Sequence, residues 1–140
     1  MTEKHAYKIF RQKVARHGDR VDRVENVLVS GMPDINYCSL GEECWIELKC
    51  PTEPKRKTTP LFGSNHKVSQ EQKNWFLRQT TAVGNAYFLI VTNSRWMLID
   101  GAHADEINEM TTSRLAYVAL WHVENPIPDE EWDELWSSLN

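Results

Sequence analysis

The sequence predicts an α/β domain in which a mixed central sheet is flanked by helices, with a core order of α-β-β-β-α-β and a C-terminal extension. Three observations lead there. Residues 86–92, "AYFLIVT", are a continuous apolar run bounded by turn signals, the pattern of a buried central strand. "DINYC" and "CWIELKC" are separated only by "SLGE" and read as a hairpin. Between hairpin and buried run, "SQEQ" at Ser69 has the pattern of a capping box and opens a helix. A chain of 140 residues, 41% apolar and 26% charged, is long enough to bury a core without disulfide or metal staples. One domain over residues 1–140 is expected, with its core at about 3–99 and the extension at about 100–140.

Residues 3–17 are expected to form the opening helix, because Tyr7, Phe10 and Val14 recur at helical spacing and Gly18 follows as a stop. Glu3 lies one turn before Tyr7 on that stripe. The valine-rich stretch 20–29, "RVDRVENVLV", reads as the first strand and the hairpin as the next two. From Pro51 to Val68 the chain has further prolines, a Lys-Arg-Lys triplet and no periodicity, which reads as a long, mobile, basic loop. The helix that starts at Ser69 carries Gln72, Trp75, Phe76, Gln79 and Val83 on one face and stops at Gly84. After the apolar run, "SRWMLI" reads as a short strand, residues 103–110 as a short helix, and "AYVALWHV" as a last strand. "PDEEWDELWSSL" is then an acidic amphipathic helix capped by Asp129, with Trp132, Leu135, Trp136 and Leu139 as a packing stripe.

Composition excludes several classes. No apolar run approaches the roughly 20 residues that span a bilayer, and "MTEKHAYKIFRQ" has neither an apolar signal core nor a cleavage site, so a cytosolic protein is expected. Cys38, Cys44 and Cys50 are odd in number and form no CxxC pair, which fits reduced thiols rather than disulfides or a zinc site. The net charge of −4 is distributed unevenly. Residues 1–24 carry seven Lys/Arg against three Asp/Glu, residues 25–99 eight against seven, and residues 100–140 one against ten, for net charges of +4, +1 and −9. A polyanion would therefore meet the first two-thirds of the chain, with the acidic tail turned away; a merely solvated surface fits the charge alone equally well.

The hairpin concentrates the chemistry. If its loop is even-numbered and centred between Leu40 and Gly41, facing residues have numbers that sum to 81. Ile35 then faces Ile46, Tyr37 faces Cys44, and Asp34 faces Glu47. Ile35, Tyr37, Ile46 and Leu48 point to the core, while Asp34, Glu47 and Lys49 share the other face, which need not be buried. Two carboxylates opposed at about 5 Å need a compensating cation. Lys49 can supply part of it, in which case the set is a salt-bridged patch. A hard divalent ion bound by the two carboxylates is the alternative, and with Lys49 it supplies the parts for hydrolysing a phosphodiester.

These residues also carry a resemblance. "MPD" at 32–34 followed by "ELK" at 47–49 resembles the signature of the PD-(D/E)xK nuclease superfamily, whose restriction-endonuclease-like core has the order αβββαβ. More narrowly, "GMPD", "WIELKCP" and "VSQEQKNW" resemble VRR-NUC type nucleases and the phage and archaeal Holliday junction resolvases. The resemblance covers roughly residues 3–93. It implies a metal-dependent DNA endonuclease, using Mg²⁺ or Mn²⁺, in viral or microbial replication, recombination or repair, with branched DNA as substrate. Asp34 and Glu47 would hold the metal, the carbonyl of Leu48 would add a ligand, and Lys49 would assist the nucleophile. Gln72 would reach the site from its helix, unless its role is the capping box. Glu3 would be the first-helix acid that many members use, with Glu25 the weaker alternative.

Lys55, Arg56, Lys57, His66 and Lys67 in the long loop are candidate phosphate contacts, and disorder without ligand is equally expected of them. Lys4, Lys8, Arg11 and Arg16 offer a second row or a solvated helix face. Trp45 either stacks on a base or, the favoured reading, packs beneath the second helix. His103 and His122 are isolated and receive no role. A homodimer suits two-strand cleavage, though no sequence feature establishes one. The alternative function is a non-catalytic nucleic-acid-binding or protein-interaction module on the same fold, with the acidic, tryptophan-rich tail docking a partner or folding over the DNA face. A phosphate-ester enzyme acting on small nucleotides lacks any glycine-rich cradle to support it.

Overall fold

The computed structural model describes residues 1–24, 30–63, 66–82 and 84–139. Helix α1 (Glu3–Lys13) precedes strands β1 (Arg20–Arg23), β2 (Ile35–Ser39) and β3 (Glu42–Lys49); α2 (Gln70–Thr81) leads to β4 (Ala86–Val91) and β5 (Arg95–Asp100). The chain continues through α3 (Thr112–Val118), β6 (Trp121–Glu124) and α4 (Asp129–Leu139). The six strands lie in sequence order in one sheet. Neighbours are antiparallel except β3 and β4, which are parallel. A parallel pair needs a crossover, and α2 is the helix within it. The mixed sheet and the αβββαβ core order are those expected from the sequence.

The hairpin register follows from its turn. Ser39 pairs with Glu42, Tyr37 with Cys44 and Ile35 with Ile46, so facing residues do sum to 81. Leu40 and Gly41 form the two-residue loop with φ of 51° and 80°, the paired positive values of a type I′ turn, whose twist matches that of the strands.

Both faces of the sheet are covered. On one, α1 and α4 enclose Phe10, Ile35, Tyr37, Leu48, Leu89, Trp96 and Leu135; Phe10 meets Tyr37 edge to face, with ring centroids 5.5 Å apart. On the other, Phe76 of α2 and Leu115 of α3 join Leu61, Phe62, Val68, Phe88, Ile90 and Met97. Strand β4 contributes Leu89 and Val91 to the first layer and Phe88 and Ile90 to the second, which is why its sequence is a continuous apolar run. The hairpin's charged side is therefore not an open face, contrary to expectation. Its cover comes from segments far along the chain, which alternation within the hairpin cannot reveal.

Several boundaries also differ. Helix α1 ends at Lys13 rather than residue 17, because the Asp19 carboxylate takes the Arg16 N–H at 2.8 Å and starts a turn that Gly18 completes at φ 89°. The first strand is described over Arg20–Arg23; residues 25–29, including Glu25, and Val83 on the α2 stripe lie outside the described residues. Residues 103–110 are not an α-helix: short 3₁₀ turns occupy Gly101–His103 and Ile107–Glu109. The expected strand at 116–123 is helical as far as Val118, because Thr111 caps α3 by accepting the Arg114 N–H and Leu115 is drawn into the core. Asp129 is the first residue of α4, not its cap.

The basic loop is tied down rather than free. Leu61, Phe62 and Val68 are buried, Leu61 N–H donates to the Met110 carbonyl, and the Asn108 side chain exchanges two hydrogen bonds with the Val68 backbone. The three cysteines are free. Among the described residues no helix is long and apolar enough to cross a membrane.

The I′ turn yields a stability test. Gly41→Ala should cost about 1 kcal/mol, the penalty of a Cβ in the left-handed region, whereas Leu40→Asn should stabilise by up to about 1 kcal/mol. Urea unfolding of the two variants beside wild type measures both, and equal midpoints for all three would refute the turn assignment.

Candidate active site

Asp34 stands directly ahead of β2, where the backbone pairing has stopped. Its carbonyl accepts the Val24 N–H at 2.7 Å, and its Oδ1 accepts the Leu48 N–H at 3.1 Å. The side chain thus continues the β2–β3 contact that the backbone has given up. The Leu48 carbonyl points to the same side as its N–H, and Pro33, which the register would set opposite, has no N–H to donate to it. The "PD" pair therefore places a carboxylate beside a carbonyl with no ladder donor from residue 33.

Glu47 and Lys49 are two residues apart on β3, so their side chains leave the same face. Their neighbours on β4 are Phe88 and Ile90, both in the second core layer. Glu47 is only 7% exposed and Lys49 8%, and their charged ends lie 3.5 Å apart. Buried charges persist only when paired and hydrogen-bonded. The remaining partner is Gln72: its Nε2 donates to Glu47 Oε2 at 2.9 Å, and its Oε1 lies 3.5 Å from Lys49 Nζ.

Gln72 also completes the capping box. Its Oε1 accepts the Ser69 N–H at 3.0 Å, while Ser69 Oγ accepts the Gln72 N–H at 3.2 Å. The two roles weighed against each other in the sequence are performed by one side chain, with its oxygen turned to the helix start and its nitrogen to Glu47.

The electrostatics follow from burial. Glu47 is pushed up to about 7 by desolvation and by the Asp34 charge, with Lys49 opposing the rise. Asp34 is raised too, mainly by burial; the Leu48 N–H and Arg23 hold it down while Glu3 adds to the rise. Glu3, the first residue of α1, is thus near enough for its charge to act on both carboxylates. Among the described residues no group of three or more His, Cys, Asp or Glu forms a metal cage. The donor set present, two mutually repelling carboxylates beside the Leu48 carbonyl, fits an ion such as Mg²⁺ that takes one or two carboxylates and fills its shell with water and phosphate oxygens.

No protein-family model matches the chain, and no curated protein does. Among solved structures, similarity is found to Hjc, a Holliday junction resolvase from the archaeal hyperthermophile Archaeoglobus fulgidus. The match has a TM-score of 0.55 and 16% sequence identity, over 81% of this chain and 89% of that one. The chain shares the fold of an archaeal resolvase. The restriction-endonuclease-like architecture expected from the sequence is thereby found, and at this identity the likeness speaks for the fold alone.

The other candidates are dispersed. Lys55, Arg56 and Lys57 line an open cleft of about 350 Å³ with Glu53 and Arg95, where Arg95 is engaged by Glu53 at 3.2 Å and Glu124 at 3.4 Å. His66 and Lys67 are not among that cleft's lining residues. Trp45 meets Trp75 of α2 edge to face at 5.9 Å, so it packs beneath the helix. Arg16 leaves the α1 row: it pairs with Asp133 at 3.1 Å and lies 3.8 Å over the Trp136 ring. The acidic tail folds onto the α1 side of the sheet through Trp132, Leu135 and Leu139.

Sequence reasoning missed Gly31 as a functional residue, although it opens the "GMPD" motif. Its φ is 81°, and a Cβ there would come within 2.3 Å of the Glu71 carbonyl carbon and 2.6 Å of the Gln72 nitrogen. Only a glycine lets the Asp34 segment approach the first turn of α2 this closely.

Two outcomes are expected. Gly31→Ala should destabilise by at least about 1–3 kcal/mol through overpacking, read by urea unfolding; a neutral result would show that the α2 contact does not need glycine. For Glu47, a folded pKa raised above the ordinary 4.5 means that the native state holds the proton longer. Metal-free stability should therefore fall as pH rises from about 4.5 through about 7, and Glu47→Gln should reduce that fall. Unfolding in EDTA at pH 5 and pH 8 measures it, and a difference between the two proteins that grows in the opposite direction overturns the assignment.

Proposed function

We propose that the protein is a metal-dependent endonuclease that hydrolyses DNA phosphodiester bonds, with branched DNA as its preferred substrate. The observation that carries this reading is the buried pair Glu47 and Lys49, bound by Gln72 and brought beside Asp34 on a resolvase fold. Such a cluster is costly to maintain in a core, and a module that only bound DNA or protein would gain nothing from burying it.

Asp34, Glu47 and the Leu48 carbonyl would hold one Mg²⁺ or Mn²⁺, with Glu3, whose charge acts on both carboxylates, as a further candidate ligand. A divalent ion there supplies positive charge against the phosphodiester and acidifies a coordinated water. Gln72 holds one oxygen of Glu47 by donating its amide N–H, which leaves the other oxygen for a metal. Lys49 orients the attacking water and stabilises charge on the phosphoryl oxygens. In the reaction, the water oxygen forms a bond to phosphorus, the ester P–O bond breaks, and the departing oxygen takes up a proton. Lys55, Arg56, Lys57, His66 and Lys67 remain candidate phosphate contacts in the flanking loop, and a homodimer would present two sites to the two strands of a junction.

The test uses supercoiled, linear, single-stranded and four-way-junction DNA with Mg²⁺, Mn²⁺ or EDTA. Wild type should cut the junction fastest and stop in EDTA. Asp34→Asn, Glu47→Gln and Lys49→Met should each lose about 10²–10³-fold in rate, and Gln72→Ala less, since it acts through Glu47. A wild type that binds these substrates and cuts none of them hands the case to the non-catalytic binding module. Full activity in the Asp34 and Lys49 variants would move the site elsewhere. Independently of cleavage, Mg²⁺ should raise the melting temperature more at pH 8 than at pH 6, because protons compete with metal at Glu47; the reverse order would remove Glu47 from the metal site.

A further inference from the structure

Along the outer side of α1 runs an open cleft of about 570 Å³ lined by Lys4, Tyr7, Lys8, Arg11 and Gln12. Its charged members are at helical spacing: Lys4, Lys8 and Arg11 lie one turn apart, and the rise of about 1.5 Å per residue spreads them over about 10 Å. That length spans about two successive phosphates of one strand, at roughly 6–7 Å between neighbours, and the row is exposed throughout.

Tyr7 forms the floor of this cleft and organises it. The Arg11 guanidinium sits 5.9 Å from its ring centroid, and that of Arg23, arriving from β1, sits 5.6 Å from the same ring. Two cations of like charge do not gather on one aromatic ring without cause, since their mutual repulsion opposes the cation–π attraction that each gains. No ion pair to a carboxylate holds either of them among the described residues. The arrangement is a pair of forked donors that could share an anion, with no ion pair within 4.0 Å to a described acid.

Two observations link the cleft to the carboxylate site. Arg23 pairs with Ile35, the residue after Asp34, and its charge acts on the Asp34 carboxyl. Glu3, which acts on Asp34 and Glu47, immediately precedes Lys4. Arg23, on the same ring as Arg11, and Glu3, beside Lys4, thus both act on the carboxylates. The loop cations differ here, because their cleft already contains Glu53, held against Arg95 at 3.2 Å.

We propose that the α1 cleft, with Lys8, Arg11 and Arg23 as its phosphate-binding groups and Tyr7 as their support, is the main docking track for the DNA backbone on one side of the cleaved phosphate. This rests on the endonuclease reading above. The ligand is a run of phosphodiesters, bound by charge and guanidinium forks rather than by base edges, so binding is strongly salt-dependent and insensitive to sequence.

The test measures binding without cleavage. A labelled four-way junction and a labelled 30-bp duplex are titrated in EDTA, from 50 to 300 mM KCl, by fluorescence anisotropy. The proteins are wild type, Lys8→Gln/Arg11→Gln/Arg23→Gln, Lys55→Gln/Arg56→Gln/Lys57→Gln and the single exposed variant Lys8→Gln; circular dichroism verifies folding. The α1 triple variant should lose at least about tenfold in affinity, and its slope of log K against log salt should be shallower by about 2–3, roughly 0.9 per phosphate contact removed. Lys8→Gln alone should reduce the slope by about 0.9, and keeps the test decisive if the triple variant fails to fold. The loop variant should change less than the α1 variant. If wild type binds but the α1 variants bind with its affinity and slope, the track is elsewhere while the endonuclease reading stands. A loop variant that loses more than the α1 variant assigns the main track to residues 55–57 and overturns the proposal. If wild type binds no DNA at any salt, the track falls together with the reading beneath it; if it binds but never cuts in metal, only that reading falls.

Discussion

The amide of Gln72 holds the Glu47 carboxylate through its nitrogen and closes the first turn of α2 through its oxygen, so the start of the helix and the geometry of the candidate site cannot change independently. Most else in the site depends on this constraint. A capping box ordinarily spends the side chain at its third helical position on the helix alone. Here the planar amide is used on both edges, and its flip would turn a donor toward the Ser69 N–H and an acceptor toward a carboxylate. Each contact therefore fixes the orientation that the other requires. Gly31 extends the same coupling to Asp34, since its lack of a Cβ brings the segment before β2 against the backbone of Glu71 and Gln72. Helix start, turn and strand are held as one unit, which is how groups from three parts of the chain can meet.

That precision has a thermodynamic cost, visible in where the charges lie. Glu47 and Lys49 occupy positions on β3 at which an apolar strand residue would pack against Phe88 and Ile90. Pairing reduces the penalty but does not remove it, because a well-packed apolar pair at such a place is often the more stable choice. The raised pKa of Glu47 is the same cost expressed as a proton equilibrium. The fold offsets it elsewhere: β4 is buried over its whole length, β5 over its centre, and both faces of the sheet are closed. A sheet with only one covered face would have left these groups in water and their mutual interactions weaker, since electrostatic effects grow as solvent is excluded.

How much of this was legible in the sequence depended on the range of the interactions involved. The hairpin register was readable because a two-residue loop and an alternating pattern constrain each other locally, and the pairing of Ile35 with Ile46 follows the sum that the loop dictates. The start of α2 was readable for the same reason, down to the residue that caps it. What local pattern could not supply was the cover over Glu47 and Lys49. It comes from the second core layer, in which Phe88 and Ile90 flank them, and from Gln72 of α2, all placed by packing across the sheet. The loop from Pro51 to Val68 looked mobile on composition, yet three apolar side chains and one asparagine anchor it. In α3, valine, alanine and tyrosine resembled a strand, and the Thr111 cap with the burial of Leu115 made it a helix. That Asp34, Glu47 and Lys49 share one side of the hairpin follows from β-strand alternation, whereas the approach of Gln72 was expected only through the family resemblance. Gly31 and Arg23 could not be named in advance, because each matters through a contact that only the folded chain creates.

The charge asymmetry of the sequence gains a physical meaning from the same packing. Helix α4 carries much of the acidic excess, and its apolar side lies in the layer that α1 also covers. Arg16 joins the two helices by pairing with Asp133 and stacking on Trp136, whose own indole N–H reaches Ser39 at the end of β2. The basic face of α1 is thereby divided. Arg16, three residues past the end of the helix, is paired with the tail, while Lys4, Lys8 and Arg11 along the helix line the open cleft. A uniformly basic helix would attract a polyanion anywhere along its length. With Arg16 occupied by acid, the uncompensated positive charge is confined to the helix itself, and the acidic tail beyond it would turn a polyanion away. On this view the acidic extension aims the basic surface, by subtracting charge where none is wanted.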